Sequence, residues 1–396
     1  MYAVHLVATA ILAASIAWVT NRLALVEWRR AKDAHWTERA RRLYPARIAA
    51  VCNLWVIPAN VALAQLLLFP TQSPHWVFLG LAGWAGAVAG TRGFDCEVCP
   101  DMPLKSWLHQ AAVGSLLRLS SWLLLLSAIA LMPTEFGWNT VIVAVAYVAL
   151  HITLSWRTLS VLKVVGILEP PSEELRNLVL RMSARMNVRV NRVWMMKSAS
   201  ANAFAMPIGR ELVFNKTLLN LLTTEELEAV CAHELGHLTE SATNLLVRIL
   251  GSLPFLPWIF LTPLTNTFGI LGFIATALAM IGLIRGYQSI SRRLERRADS
   301  IGHIQETSPG VYAKALEKLH EDNLIPAVLP ERQTTHPHLY DRLIAAGVTP
   351  DYPRPIAAEA MAPHGHFLSG LFGALLVLYG IQTAKFFNTP PDFSRP

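Results

Sequence analysis

Long apolar runs, many close to the ~20 residues that cross a bilayer as a helix, recur along this chain and give way to charge-rich sequence at 165–243 and 285–365. They fall at about 3–20, 48–70, 76–91, 110–132, 138–164, 244–262, 267–284 and 366–383. The third and eighth are short and carry glycine, and Arg248 and Pro254 interrupt the sixth. The pattern predicts seven or eight spans, those three being the ones open to a re-entrant or interfacial reading.

Between the apolar runs the periodicity changes. Ser172 ahead of Glu173 and Glu174 reads as a helix start, with the helix running to about Met186. Val188, Val190, Val193 and Met195 then show the period of two of a strand. Asn202 to Ala205 and Glu211 to Phe214 read as two more strands around a turn at Gly209-Arg210. Thr223 with Glu226 looks like a capping box, and Leu227, Val230, Cys231 and Leu235 continue it as an apolar helical stripe. A small α+β unit is predicted here.

Composition agrees with the apolar pattern. Hydrophobic residues make up 53% and charged residues 15%, with mean hydropathy +0.38, a balance foreign to soluble chains of this length. The segment after the first span carries Arg22, Arg29, Arg30, Lys32, Arg39, Arg41, Arg42 and Arg47, whereas 71–76, 133–139 and 262–268 hold no Lys or Arg. Positive charge collects on the cytoplasmic side, so the latter three are expected outside and both charge-rich segments inside. The net charge of +7 is then explained by topology and anionic headgroups, and nucleic acid is not an expected partner. Residues 1–5 lack a positive n-region, so the first span is read as a retained anchor. Cys52, Cys96, Cys99 and Cys231 are too few for a disulfide framework; the C-x-x-C at 96–99 is expected in a reducing compartment.

The chemistry centres on His233-Glu234-Leu235-Gly236-His237. Two imidazoles four residues apart on a helix face one way and can hold one Zn²⁺, while the glutamate between them is placed as general base toward the attacking water. A catalytic site needs a third protein ligand. Glu295 is the choice, since the chain returns there after a hydrophobic hairpin and Asp299, one turn on, can accept the second ring N–H of a ligand histidine. His303, His320, Glu240 and Glu317 are the competing third ligands.

Four segments in order, Asn202 to Ala205, His233 to His237, Glu295 to Asp299 and Thr335-His336-Pro337, resemble the membrane-embedded zinc metallopeptidases (gluzincins) of the heat-shock protease HtpX and the CAAX prenyl endoprotease. The resemblance covers roughly 172–345. It implies that Asn202, Ala203, Phe204 and Ala205 form an edge strand on which an extended substrate is laid, that His336 steadies the oxyanion, and that Arg342 contacts substrate, with Tyr340 a further helper. The second proline of the usual His-Pro-Pro is His338 here.

The expected fold is therefore mainly α: polytopic transmembrane helices with a small cytoplasmic α+β zinc metallopeptidase domain. Residues 1–165 are expected to form an N-terminal bundle of about five spans, 166–243 with 285–365 the peptidase domain, 244–284 an inserted hairpin, and 366–396 a C-terminal segment and tail. The expected activity is zinc-dependent endopeptidase cleavage of membrane-associated or misfolded proteins at the cytoplasmic face of a bacterial inner membrane. The expected partners are protein or peptide substrates and the bilayer. The alternatives are processing of lipidated or signal-like peptides, and a sensor acting by limited proteolysis.

Overall fold

The computed structural model describes residues 2–69, 75–198, 200–251, 253–330 and 337–388. By contacts the chain parts into two units, one of Met1–Trp107, Leu324–Pro330 and Pro355–Pro396, the other of Leu108–Asn323 and Glu331–Arg354.

The first unit holds α1 (Tyr2–Ala24), α2 (Val26–Arg30), α3 (Trp36–Leu68) and α4 (Trp76–Val98). Helices α1 and α4 touch backbone to backbone: a Cβ at Gly86 would lie 2.0 Å from the Ala10 carbonyl oxygen, the small-residue packing that brings apolar helices together where water supplies no drive. Asn53 of α3 donates to Asn21 Oδ1 at 2.7 Å, so these buried amides partner each other.

The second unit begins with α5 (Leu104–Leu131), most of which lies in it, and α6 (Trp138–Val164). Then come β1 (Leu168–Glu169), α7 (Glu173–Met186), β2 (Arg192–Met196), β3 (Ala203–Met206), β4 (Glu211–Asn215), α8 (Lys216–Leu221) and α9 (Thr224–His237). Ser172 caps α7, its Oγ accepting from Leu175 N at 3.2 Å, and the Thr223–Glu226 capping box opens α9 as its sequence predicts. Strand β2 starts later than the valine alternation suggests. Asn187 adopts φ 51° and Val188 N reaches back to Ser183 O, so residues 187–188 close α7 as a left-handed cap and Val188 joins the core.

The sheet order is β1-β2-β4-β3, with β2 parallel to β4 and β3 antiparallel to it. Arg210, at φ 50°, turns the β3–β4 hairpin where expected. One face of the sheet packs on α7 and α9 through Leu175, Met182, Leu212, Phe214, Val230 and Leu235. Beyond α9 lie α10 (Ala242–Gly251), α11 (Leu256–Ile259), α12 (Leu261–Phe268), α13 (Ile270–Gln305), α14 (Val311–Asp322) and α15 (Leu339–Ala345), and the first unit closes with α16 (Pro363–Asn388).

Five helices among the described residues are long and apolar enough to cross a membrane: Tyr2–Arg30 (α1 with α2), α3, α5, α6 and α13. The run at 244–262 is not one span: it is broken into α10, α11 and the start of α12, because Pro254, Pro257 and Pro263 each remove a backbone donor and crowd the preceding turn. The expected linker at 262–268 is likewise helical, as α12. Its Asn266 donates to Thr134 O at 3.2 Å, so this segment and the α5–α6 loop share one end of the second unit. Helix α13 shows Ile270, Leu271, Leu278 and Ile281 outward, as lipid-facing positions require, and continues unbroken into Glu295 and Asp299.

Candidate metal centre

Helices α9 and α13 cross at Gly236. A Cβ there would come within 3.1 Å of Ile301 Cδ1, the end of a side chain that would have to give by a few tenths of an ångström, and would lie 3.5 Å from the Ala298 Cα, an ordinary contact. Arg297 fastens the crossing from the other side, donating to Thr239 Oγ1 at 2.7 Å and toward the Gly236 and Thr239 carbonyls at 3.5 and 3.4 Å. A cation at the end of α9 also suits the negative pole of the helix dipole. At least this member of the arginine cluster is structural.

The crossing brings together His233, His237 and Glu295, with exposures of 7–8%. His233 Nε2 lies 3.2 Å from His237 Nε2. The Glu295 carboxylate oxygens lie 3.7 Å from the first and 3.6 Å from the second. A tetrahedral metal with ligand bonds of ~2.0–2.2 Å sets its ligand atoms roughly 3.3–3.6 Å apart. The three donors thus have the spacing, chemistry and burial of a metal site, and they form the one such cluster among the described residues. Of the competing ligands, His303 faces Glu306 at 3.7 Å.

Both imidazoles are held from behind. His233 Nδ1 sits 2.7 Å from the Tyr312 hydroxyl and 3.1 Å from Asp299 Oδ1, so Asp299 stands where its spacing from Glu295 predicts. Tyr312 OH donates to Asp299 Oδ1 at 2.8 Å. Burial keeps the Tyr312 phenol far above its ordinary pKa, so it remains a donor. His237 Nδ1 faces Glu240 Oε1 at 2.8 Å. With a proton held at each Nδ1, both Nε2 lone pairs point at Glu295. Glu234, 7% exposed, lies between the two ligands on α9.

Arg342 takes a different place from the one the sequence suggests. Its Nη2 donates to Asp299 Oδ1 and to the Tyr312 hydroxyl, the latter at 3.1 Å, with the side chain 10% exposed. Rather than reaching for substrate, it neutralises the carboxylate that orients His233. Tyr340 packs toward Tyr352, ring centroids 6.1 Å apart. His336 lies outside the described residues.

Ala203 to Ala205 fall in β3, at the edge of the sheet among the described residues, with Asn202 just before it. Asn215 N donates to Asn202 O at 2.8 Å. Antiparallel pairs alternate between bonded and non-bonded, so Phe204 and Met206 bond β4 and the N–H and C=O of Ala203 and Ala205 point to the open edge. Sequence reasoning missed Tyr312 altogether and took Glu240 only as a competing ligand. It read Arg248 as an interruption, although a lone cation in an apolar run is itself a signal of function.

Residues 169–347 match the sequence model of peptidase family M48. The chain is 27% identical over 236 residues to a protease HtpX homologue of Trichormus variabilis, covering 54% of this chain and 77% of that protein. A protease HtpX homologue of Arthrobacter is 25% identical over 253 residues, 60% of this chain and 83% of the relative. Another, from Dictyoglomus thermophilum, reaches 30% over 181 residues, 41% of this chain and 60% of the relative. With a His-His-Glu cluster inside the matched segment and apolar helices long enough to cross a bilayer, residues 169–347 belong to peptidase family M48, in a chain that is a membrane metallopeptidase.

Proposed function

We propose that this chain is a zinc-dependent endopeptidase that cuts membrane-associated or misfolded proteins at the cytoplasmic face of a bacterial inner membrane. One observation carries the reading: two imidazole Nε2 atoms and a carboxylate, 3.2–3.7 Å apart, each imidazole fixed from behind by an acidic partner. Three protein ligands leave a fourth position open, the mark of a catalytic rather than structural zinc. Nitrogen and carboxylate donors with no sulfur suit Zn²⁺.

A zinc ion held by His233, His237 and Glu295 supplies Lewis acidity, polarising the scissile carbonyl and making water nucleophilic near neutral pH. The chain's residues do the rest. Glu234 takes the proton of the attacking water and returns it to the departing amine. Ala203 and Ala205 offer outward backbone groups to an extended peptide, which would lie beside α9 as a fifth strand. His336 remains the residue proposed for the oxyanion.

Position favours membrane-proximal substrates. Glu295 lies eleven residues beyond Ile284 on one continuous helix, about 16 Å at helical rise. It stands at the far end of α13 from the α12 segment that meets the α5–α6 loop, and that loop is poor in Lys and Arg. By the charge rule, the site faces the cytoplasm. The test is to compare purified wild type with Glu234→Gln against an unfolded membrane protein, and to compare the membrane proteomes of cells carrying each. Substrates should accumulate or stay trapped uncut with Glu234→Gln; equal cleavage by both would refute the reading.

A further inference from the structure

We propose that Glu240 and Arg248 are positioning residues of the metal centre: Arg248 fixes Glu240, and Glu240 holds the His237 imidazole so that Nε2 faces Glu295. This rests on the metallopeptidase reading.

A histidine that binds metal through Nε2 must carry its proton at Nδ1, and a buried Nδ1–H needs an acceptor. His233 has one thirteen residues back along the chain from Tyr312, in Asp299. His237 finds its own locally, in Glu240 three residues on, at 2.8 Å. The Glu240 side chain is 1% exposed, and a carboxylate so enclosed survives only with a fixed counter-charge. Arg248 supplies it as a two-pronged contact, Nε to Oε2 and Nη2 to Oε1, both at 2.6 Å.

Arg248 Nη2 also lies 3.0 Å from His237 Nδ1. Two N–H donors cannot bond each other, so with the proton on Nδ1 both hydrogen bonds converge on the Glu240 carboxylate and the third contact is mere proximity. Arg248 comes from α10, in the apolar stretch whose Leu246 points outward. A guanidinium is costly there without a partner, and Glu240 is that partner. The pair therefore ties one metal ligand to the helix that leaves the site toward the apolar hairpin. His233, on the other side, is tied to α14 and α15 through Tyr312 and Arg342.

The test uses the full-length protein in lipid nanodiscs as wild type, Glu240→Gln, Arg248→Leu and Arg248→Lys. Zn²⁺ affinity by chelator competition, the visible spectrum of the Co²⁺-substituted protein, Tm, kcat and KM are read on each. Glu240→Gln and Arg248→Leu should weaken Zn²⁺ binding 10- to 100-fold, shift the Co²⁺ spectrum and lower kcat, with KM changed less than about twofold. Arg248→Lys should recover part of the loss, since an ammonium replaces the charge but not the fork. Unchanged affinity and Co²⁺ spectrum in Glu240→Gln and Arg248→Leu, whether or not Tm falls, would overturn the inference and leave the peptidase reading standing. Failure of the wild type to bind Zn²⁺ would overturn both.

Discussion

Glu234 and the residues behind the ligands do separable work, and substitution tells them apart. Glu234→Gln keeps the shape and loses the base, so metal content should hold while kcat falls by ~10²- to 10⁴-fold. His233→Ala or Glu295→Ala should lose the metal, as read by elemental analysis after dialysis. Asp299→Asn removes the anion that His233 and Arg342 share, and should weaken Zn²⁺ binding by ~10- to 100-fold in chelator competition. Acid should release the metal, because ligand imidazoles must be neutral and protons compete for their lone pairs as pH falls. Glu240 does not set that limb. Burial pushes its carboxyl up, but hydrogen bonds from His237 and Arg248 pull it down further, leaving it below the ordinary range. A lowered folded pKa gives stability that is complete above the unfolded value of about 4.3 and lost only as pH falls through the still lower folded value. Metal loss preceding any unfolding as pH falls is the expected order, measured by titrating bound Zn²⁺ alongside circular dichroism.

At the scale of elements, β3 offers the cleanest separation of substrate binding from metal binding. Ala205 sends its N–H to the open edge, so Ala205→Pro deletes one bond to a bound peptide without touching the ladder to β4. KM should rise several-fold with Zn²⁺ affinity unchanged, which steady-state kinetics and chelator competition on the same preparation would show. Helix α9 was legible in its residues because its start signal, apolar stripe and ligands are all local; so was the hairpin turn at Arg210. The start of β2 was not, since Val188 belongs to the left-handed cap at Asn187 and the strand begins only at Arg192. The broken stretch at 244–262 was half legible: Pro254 marked it, but hydropathy alone does not show that Leu253 and Ile259 pack on Leu125 and Tyr147 of α5 and α6.

For the molecule as a whole, the arrangement to test is which side of the bilayer each segment faces. A single cysteine introduced at Glu135, with the native cysteines replaced by serine, should react with an impermeant maleimide in intact cells, whereas one at the exposed Arg189 should react only after lysis. The reverse pattern would place the metal site outside and remove the cytoplasmic proposal. The sequence by itself determined the membrane-bound, mainly α class, the His233–His237 pair and the Glu295–Asp299 spacing, because apolar length and helical periodicity act over a few turns of one segment. Only the tertiary structure decided what stands behind the ligands besides Asp299. Tyr312 lies 79 residues from His233 and Arg342 lies 43 from Asp299, and contacts between residues so far apart in the chain are set by how helices cross, which no local pattern records.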